Sequence, residues 1–149
     1  MKRTHSPQRQ GGFSLLEVLV SVLVFSLGVL ALVSLQAASM RLSNDARFRA
    51  DAAFLADQLF ARMLISLPAD AAQFAHRAGG TACNSNGGAA TNASALEWLA
   101  EVSDTLPGAP AELQQVVVDA GGQVTVRLCW QQGTDAPRQF IVSNRIQWQ

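Results

Sequence analysis

Twenty-three consecutive residues, Phe13 to Leu35, carry a single formal charge, Glu17. As a helix this stretch is about 35 Å long, enough to cross a bilayer core of about 30 Å. Lys2, Arg3 and Arg9 precede it and Arg41 follows it. Three cations ahead of a span favour a cytoplasmic N-terminus. A secretory signal peptide would instead have a shorter apolar run followed by a small-residue cleavage site. Here Ala37-Ala38-Ser39 is a weak site of that kind, and the better small-residue site, Gly12, lies before the run.

The zero formal net charge of the 149 residues hides an uneven distribution. Without the three leader cations, eight basic residues face eleven acidic ones. A mildly acidic body argues against nucleic-acid binding, which needs clustered Lys and Arg to neutralise phosphates. Glu17 is the costly residue: a carboxylate inside an apolar span costs roughly 2.5–3.5 kcal/mol on insertion scales. It either snorkels to the headgroups or pairs with a cation brought by another chain.

Gly12-Phe13-Ser14-Leu15-Leu16-Glu17-Val18-Leu19-Val20 resembles the class III signal of type IV pilins and pseudopilins. The resemblance implies a leader of residues 1–12, cleavage by a prepilin peptidase between Gly12 and Phe13, and N-methylation of Phe13 by the same enzyme. It also implies that Glu17 is the assembly carboxylate, neutralising the terminal amine of a neighbouring subunit. A carboxylate and an ammonium attract strongly where the dielectric is low, and each is costly alone. The implied partners are other major and minor pilins, the inner-membrane assembly platform and the lipid bilayer. Many major pilins carry a proline in the membrane half of this helix. This chain has none there, and Gly28 is the one weak helix former, by about 1 kcal/mol relative to Ala.

The helical pattern continues beyond the span. Phe48, Leu55, Leu59 and Met63 form an apolar stripe, and Phe60, Leu64 and Leu67 an adjacent one. Asp45, Arg49 and Asp57 are assigned to outward faces. Pro68 is the first proline after Phe13, so one helix is expected from Phe13 to Leu67. Residues 13–35 form its membrane and filament-core part. Residues 36–67 form an amphipathic continuation, and residues 68–149 a periplasmic globular α+β domain.

Gly79 to Asn92 has the composition of a mobile loop around Cys83. It lacks the Gly-Lys-Ser/Thr element of a phosphate loop. Ser94-Ala95-Leu96-Glu97 reads as a capping box opening a short helix with Leu96, Leu99, Val102 and Leu106 on one face, ended by Leu106-Pro107-Gly108. Trp98 is assigned to packing. Strands are expected over Leu113–Asp119, Gln123–Gln131 and Arg138–Gln147, joined as an antiparallel meander. On the middle strand Val124, Val126, Leu128 and Trp130 share one face. Phe140, Val142 and Ile146 are the apolar candidates on the third. The expected fold class is therefore α+β, a long helix packed on a small antiparallel sheet of about three strands.

Cys83 and Cys129 are the only cysteines. An even pair in an exported chain suggests a disulfide, whereas in the cytosol it would be two buried thiols. A bond between them would tie the loop to the middle strand. The order helix, cysteine loop, short helix ending Leu-Pro-Gly and strands with Cys129-Trp130 resembles PilV-type minor pilins from Cys83 through Trp148.

No catalytic constellation is present in the sequence. His5 lies in the leader, and His76 has no metal-ligand spacing and is assigned to a helix end or the surface. No enzyme activity, cofactor or metal is expected. Three roles remain: a minor pilin contributing to type IV pilus assembly, a type II secretion pseudopilin, or a membrane-tethered binding module that never polymerises. The cysteines and the Leu-Pro-Gly segment lean against the second, and the third requires a retained leader.

Overall fold

A computed structural model describes residues 14–147. The leader, Gly12, Phe13 and Trp148 lie outside the described residues. The chain divides into two compact units, Met1–Ser43 and Asn44–Gln149.

One helix, α1 (Leu15–Leu64), provides all regular structure described in the first unit and opens the second. Its N-terminal turn is closed by the Ser14 carbonyl, which accepts from the backbone N–H of Glu17 at 2.9 Å and of Val18 at 3.3 Å. It ends at Leu64, three residues before the expected stop. The chain then turns through Ile65 and Ser66, and Pro68 opens a 3₁₀ helix (Pro68–Phe74). Pro lacks an N–H and suits the first turn of such a segment.

Within the second unit α1 buries Ala52, Leu55, Ala56, Leu59, Phe60 and Met63, with Phe48 partly covered. Leu64 and Leu67 are exposed, against expectation. A step of four residues advances the direction by about 40°, which carries Leu64 beyond the rim that Phe60 still occupies. Leu67 lies past the helix end and no longer follows its faces.

The segment expected to be a loop contains a hairpin, β1 (Gly79–Thr81) and β2 (Asn84–Asn86), in antiparallel register. Its turn residues are Ala82 and Cys83. Helix α2 (Ala93–Thr105) is capped by Asn92 and not by the expected Ser94 box: Asn92 Oδ1 accepts from the N–H of Ser94 at 2.9 Å and of Ala95 at 3.4 Å. Its buried face is Ala95, Trp98, Leu99 and Val102, followed by Leu106. Leu96 is exposed because the larger apolar surface of Trp98 takes the inward face. Trp98 Nε1 donates to the Leu55 carbonyl at 2.7 Å, pinning α2 to α1. Gly108 has a positive φ of 57°, and a Cβ there would meet the Gln131 carbonyl oxygen at 2.6 Å, so the Leu106-Pro107-Gly108 stop needs its glycine.

The sheet is the antiparallel meander β3 (Gln115–Val118), β4 (Gln123–Trp130), β5 (Arg138–Arg145). Strand β3 starts two residues later than expected because Ala111–Leu113 forms a 3₁₀ turn, and β5 stops two residues earlier. Asp119 Oδ1 accepts from the N–H of Gly121 and Gln123 and shapes the β3–β4 turn. Register aligns Val116 with Val126 and Val126 with Val142. Period-2 alternation turns Val124, Val126, Leu128 and Trp130 inward against α1 and α2, and Ile146 joins the same core.

Candidate assembly site

In the described part of the first unit every side chain from Ser14 to Ser43 is exposed. Valines and leucines fill the segment, yet none has a partner within the unit. Such a surface is stable only where something other than water covers it. Among the described residues α1 is the one helix long and apolar enough to cross a membrane.

Three serine hydroxyls of this segment are satisfied locally. Ser21 Oγ donates to the Glu17 carbonyl at 2.7 Å, Ser26 Oγ to the Val22 carbonyl at 2.7 Å, and Ser34 Oγ to the Leu30 carbonyl at 3.0 Å. Each hydroxyl is thereby satisfied inside its own helix, which lowers the cost of placing it among apolar neighbours. Glu17 stands apart. It lies in the first turn of α1, where the partial positive charge of unsatisfied N–H groups favours a carboxylate. No side-chain partner reaches it among the described residues.

This segment matches the prokaryotic N-terminal methylation motif over residues 7–33. The match supports a type IV pilin-like protein, a component of a pilus or a pseudopilus, and points to a structural rather than an enzymatic role. It implies processing by prepilin peptidase and association with other pilins. With the apolar helix it is consistent with an inner-membrane anchor. No curated protein and no solved structure matches the chain. The long helix with small antiparallel sheets is consistent with a type IV pilin-like fold.

The second unit carries a buried polar latch that sequence reasoning missed. Cys83 and Cys129 are joined, with their Cα atoms 5.6 Å apart. Cys129 lies opposite the chain ahead of β3, where the Gln114 side chain supplies the pairing. Gln114 Oε1 accepts from the Cys129 N–H at 2.8 Å and its Nε2 donates to the Cys129 carbonyl at 3.0 Å. Gln115 holds the hairpin: Nε2 donates to the carbonyls of Gly79 at 2.6 Å and Arg77 at 3.1 Å, while Oε1 accepts from Arg127 at 2.7 Å. Ser85 Oγ bonds to the carbonyls of Glu112 and Gln114. Two adjacent glutamines before a valine run give no sequence signal for this work.

His76 is buried, contrary to the expected surface or helix-end placement. Its Nδ1 accepts from the Ala90 N–H at 3.1 Å and its Nε2 faces the Ala111 carbonyl at 2.9 Å. A neutral ring with the proton on Nε2 satisfies both contacts. The histidine thus stitches three loops together, a role that spacing cannot reveal. Asp45 also does more than face outward: besides Arg49 at 3.3 Å it pairs with Arg138 at 3.0 Å, fastening the start of β5.

Proposed function

We propose that the chain is a minor pilin of the PilV type that contributes to type IV pilus assembly or initiation and polymerises through its N-terminal helix. The observation that carries this reading is Glu17, the lone carboxylate of the fully exposed apolar segment 14–43, which lies within the methylation motif. In this reading prepilin peptidase cuts between Gly12 and Phe13 and methylates Phe13. The new ammonium of one subunit then meets Glu17 of its neighbour. Before assembly residues 13–35 span the inner membrane, with the N-terminus cytoplasmic and residues 68–149 periplasmic. The oxidising periplasm suits the Cys83–Cys129 bond, and that bond together with the Leu106-Pro107-Gly108 stop favours a pilus over a secretion pseudopilus.

Intact-mass measurement of membrane-extracted protein should show loss of twelve residues and gain of one methyl group. Glu17→Ala should leave insertion and the disulfide intact and reduce incorporation into fibres to background. Normal fibre numbers with that variant, or a chain that still starts at Met1, would refute the reading.

A further inference from the structure

The two sulfurs of the Cys83–Cys129 bond belong to residues in unequal positions. Cys83 lies in the turn of the β1–β2 hairpin, half-buried, between exposed Ala82 and exposed Asn84. Cys129 lies inside β4 and is fully buried. Its N–H and its carbonyl are both bonded to the buried Gln114 side chain, which keeps the residue from swinging outward. A disulfide is opened by a thiolate that attacks one sulfur and expels the other, and access decides which sulfur is attacked. Arg127 donates to the Ala82 carbonyl at 3.3 Å and keeps a cation beside the turn. A neighbouring cation favours the thiolate, which is the reactive form of a cysteine.

The hairpin has anchors besides the bond. Gln115 Nε2 donates to the Arg77 and Gly79 carbonyls ahead of the turn, and Arg127 holds the Ala82 carbonyl within it. After the turn, Ser85 Oγ lies 2.8 Å from the Glu112 carbonyl oxygen and 3.1 Å from that of Gln114. These contacts flank Cys83 on both sides. With the bond open they hold its thiol beside Cys129, and closure is then an intramolecular step between prepositioned groups.

We propose that Cys83 is a thiol-exchange site, at which the bond is opened and closed on the folded second unit through a mixed disulfide with an external thiol, and that Cys129 is the internal resolving thiol. On opening, the external thiolate bonds to the Cys83 sulfur and the Cys83–Cys129 bond breaks. The Cys129 sulfur leaves with the electron pair and takes up a proton. A second external thiolate then attacks the external sulfur and releases Cys83. Two external thiols are thereby oxidised to a disulfide while the protein bond gains two electrons. Closure runs the same steps backwards from an external disulfide.

The test uses the full chain in detergent, with glutathione as the probe. Cys129→Ser and Cys83→Ser each leave one thiol, and each variant is exposed to oxidised glutathione with the adduct read by intact mass. Cys83 should be modified about tenfold faster than Cys129, and denaturant should bring the two rates together. Equal rates without denaturant, or a faster Cys129, would overturn the proposal. The unaltered chain gives a second reading that does not depend on how the variants fold. Partial opening by reduced glutathione, followed by alkylation, should trap glutathione on Cys83 and the alkyl group on Cys129 of the same molecule, and the opposite pattern would refute the assignment. The anchoring of the hairpin is read on the reduced chain returned to oxidised glutathione. Gln115→Ala should slow closure of the mixed disulfide about tenfold and leave its formation on Cys83 unchanged. A closure rate indifferent to Gln115→Ala would show that the bond alone places the hairpin.

Discussion

Val24 is 60% exposed and Val124 is fully buried, although the two side chains are identical. The first belongs to a unit described as a bare helix. The second belongs to a unit in which one segment of that helix, a short helix and a three-stranded sheet enclose a common core. Apolar residues therefore serve two purposes here. In residues 44–147 they drive the chain to fold upon itself. In residues 14–43 the described residues supply no such cover, which is consistent with an inner-membrane anchor.

The comparison predicts that damage to one unit stays within it. The largest effect is expected for Trp98→Ala, which removes a fully buried side chain and its bond to Leu55. It should cost about 3–5 kcal/mol of stability, measured by denaturant unfolding in detergent, without changing membrane extraction behaviour. Removing the disulfide by Cys83→Ser with Cys129→Ser should cost about 2–4 kcal/mol in the same assay, because the residues are 46 apart in sequence and the open chain gains that freedom on unfolding. Leu23→Arg acts on the other unit. It should penalise insertion by about 2.5–3.5 kcal/mol, read as a fall in membrane-retained protein, while the fraction that does insert still forms the disulfide. Unfolding of the second unit by this variant would break the proposed independence. Asn92→Ala should be the mildest, about 1 kcal/mol from the lost cap of α2, detectable as faster hydrogen exchange at Ser94 and Ala95.

Much of this was legible in the sequence. The long helix, the stop at Leu106-Pro107-Gly108, the meander and the inward set Val124, Val126, Leu128 and Trp130 all follow from local patterns, and the structure contains each. Misassigned residues share a cause. Leu64, Leu67 and Leu96 have the right chemistry for a core, but their direction depends on where a helix ends or on which neighbour is larger. Gly79–Asn92 reads as loop because its strands are too short and polar to show a period. The Asn92 cap competes with the Ser94 box over a distance of two residues, and only the backbone path decides between them.

Sequence alone determined that residues 13–35 are an apolar run with one acid and that a methylation motif covers residues 7–33, because length, charge and spacing are properties of the chain itself. Tertiary structure alone decided that His76 is a buried stitch, that Gln114 and Gln115 complete the ladder around Cys129, and that Phe54, Leu64 and Ile65 are left outside. Those outcomes depend on which surfaces meet after the chain has folded, and no local pattern encodes a meeting between residues dozens of positions apart.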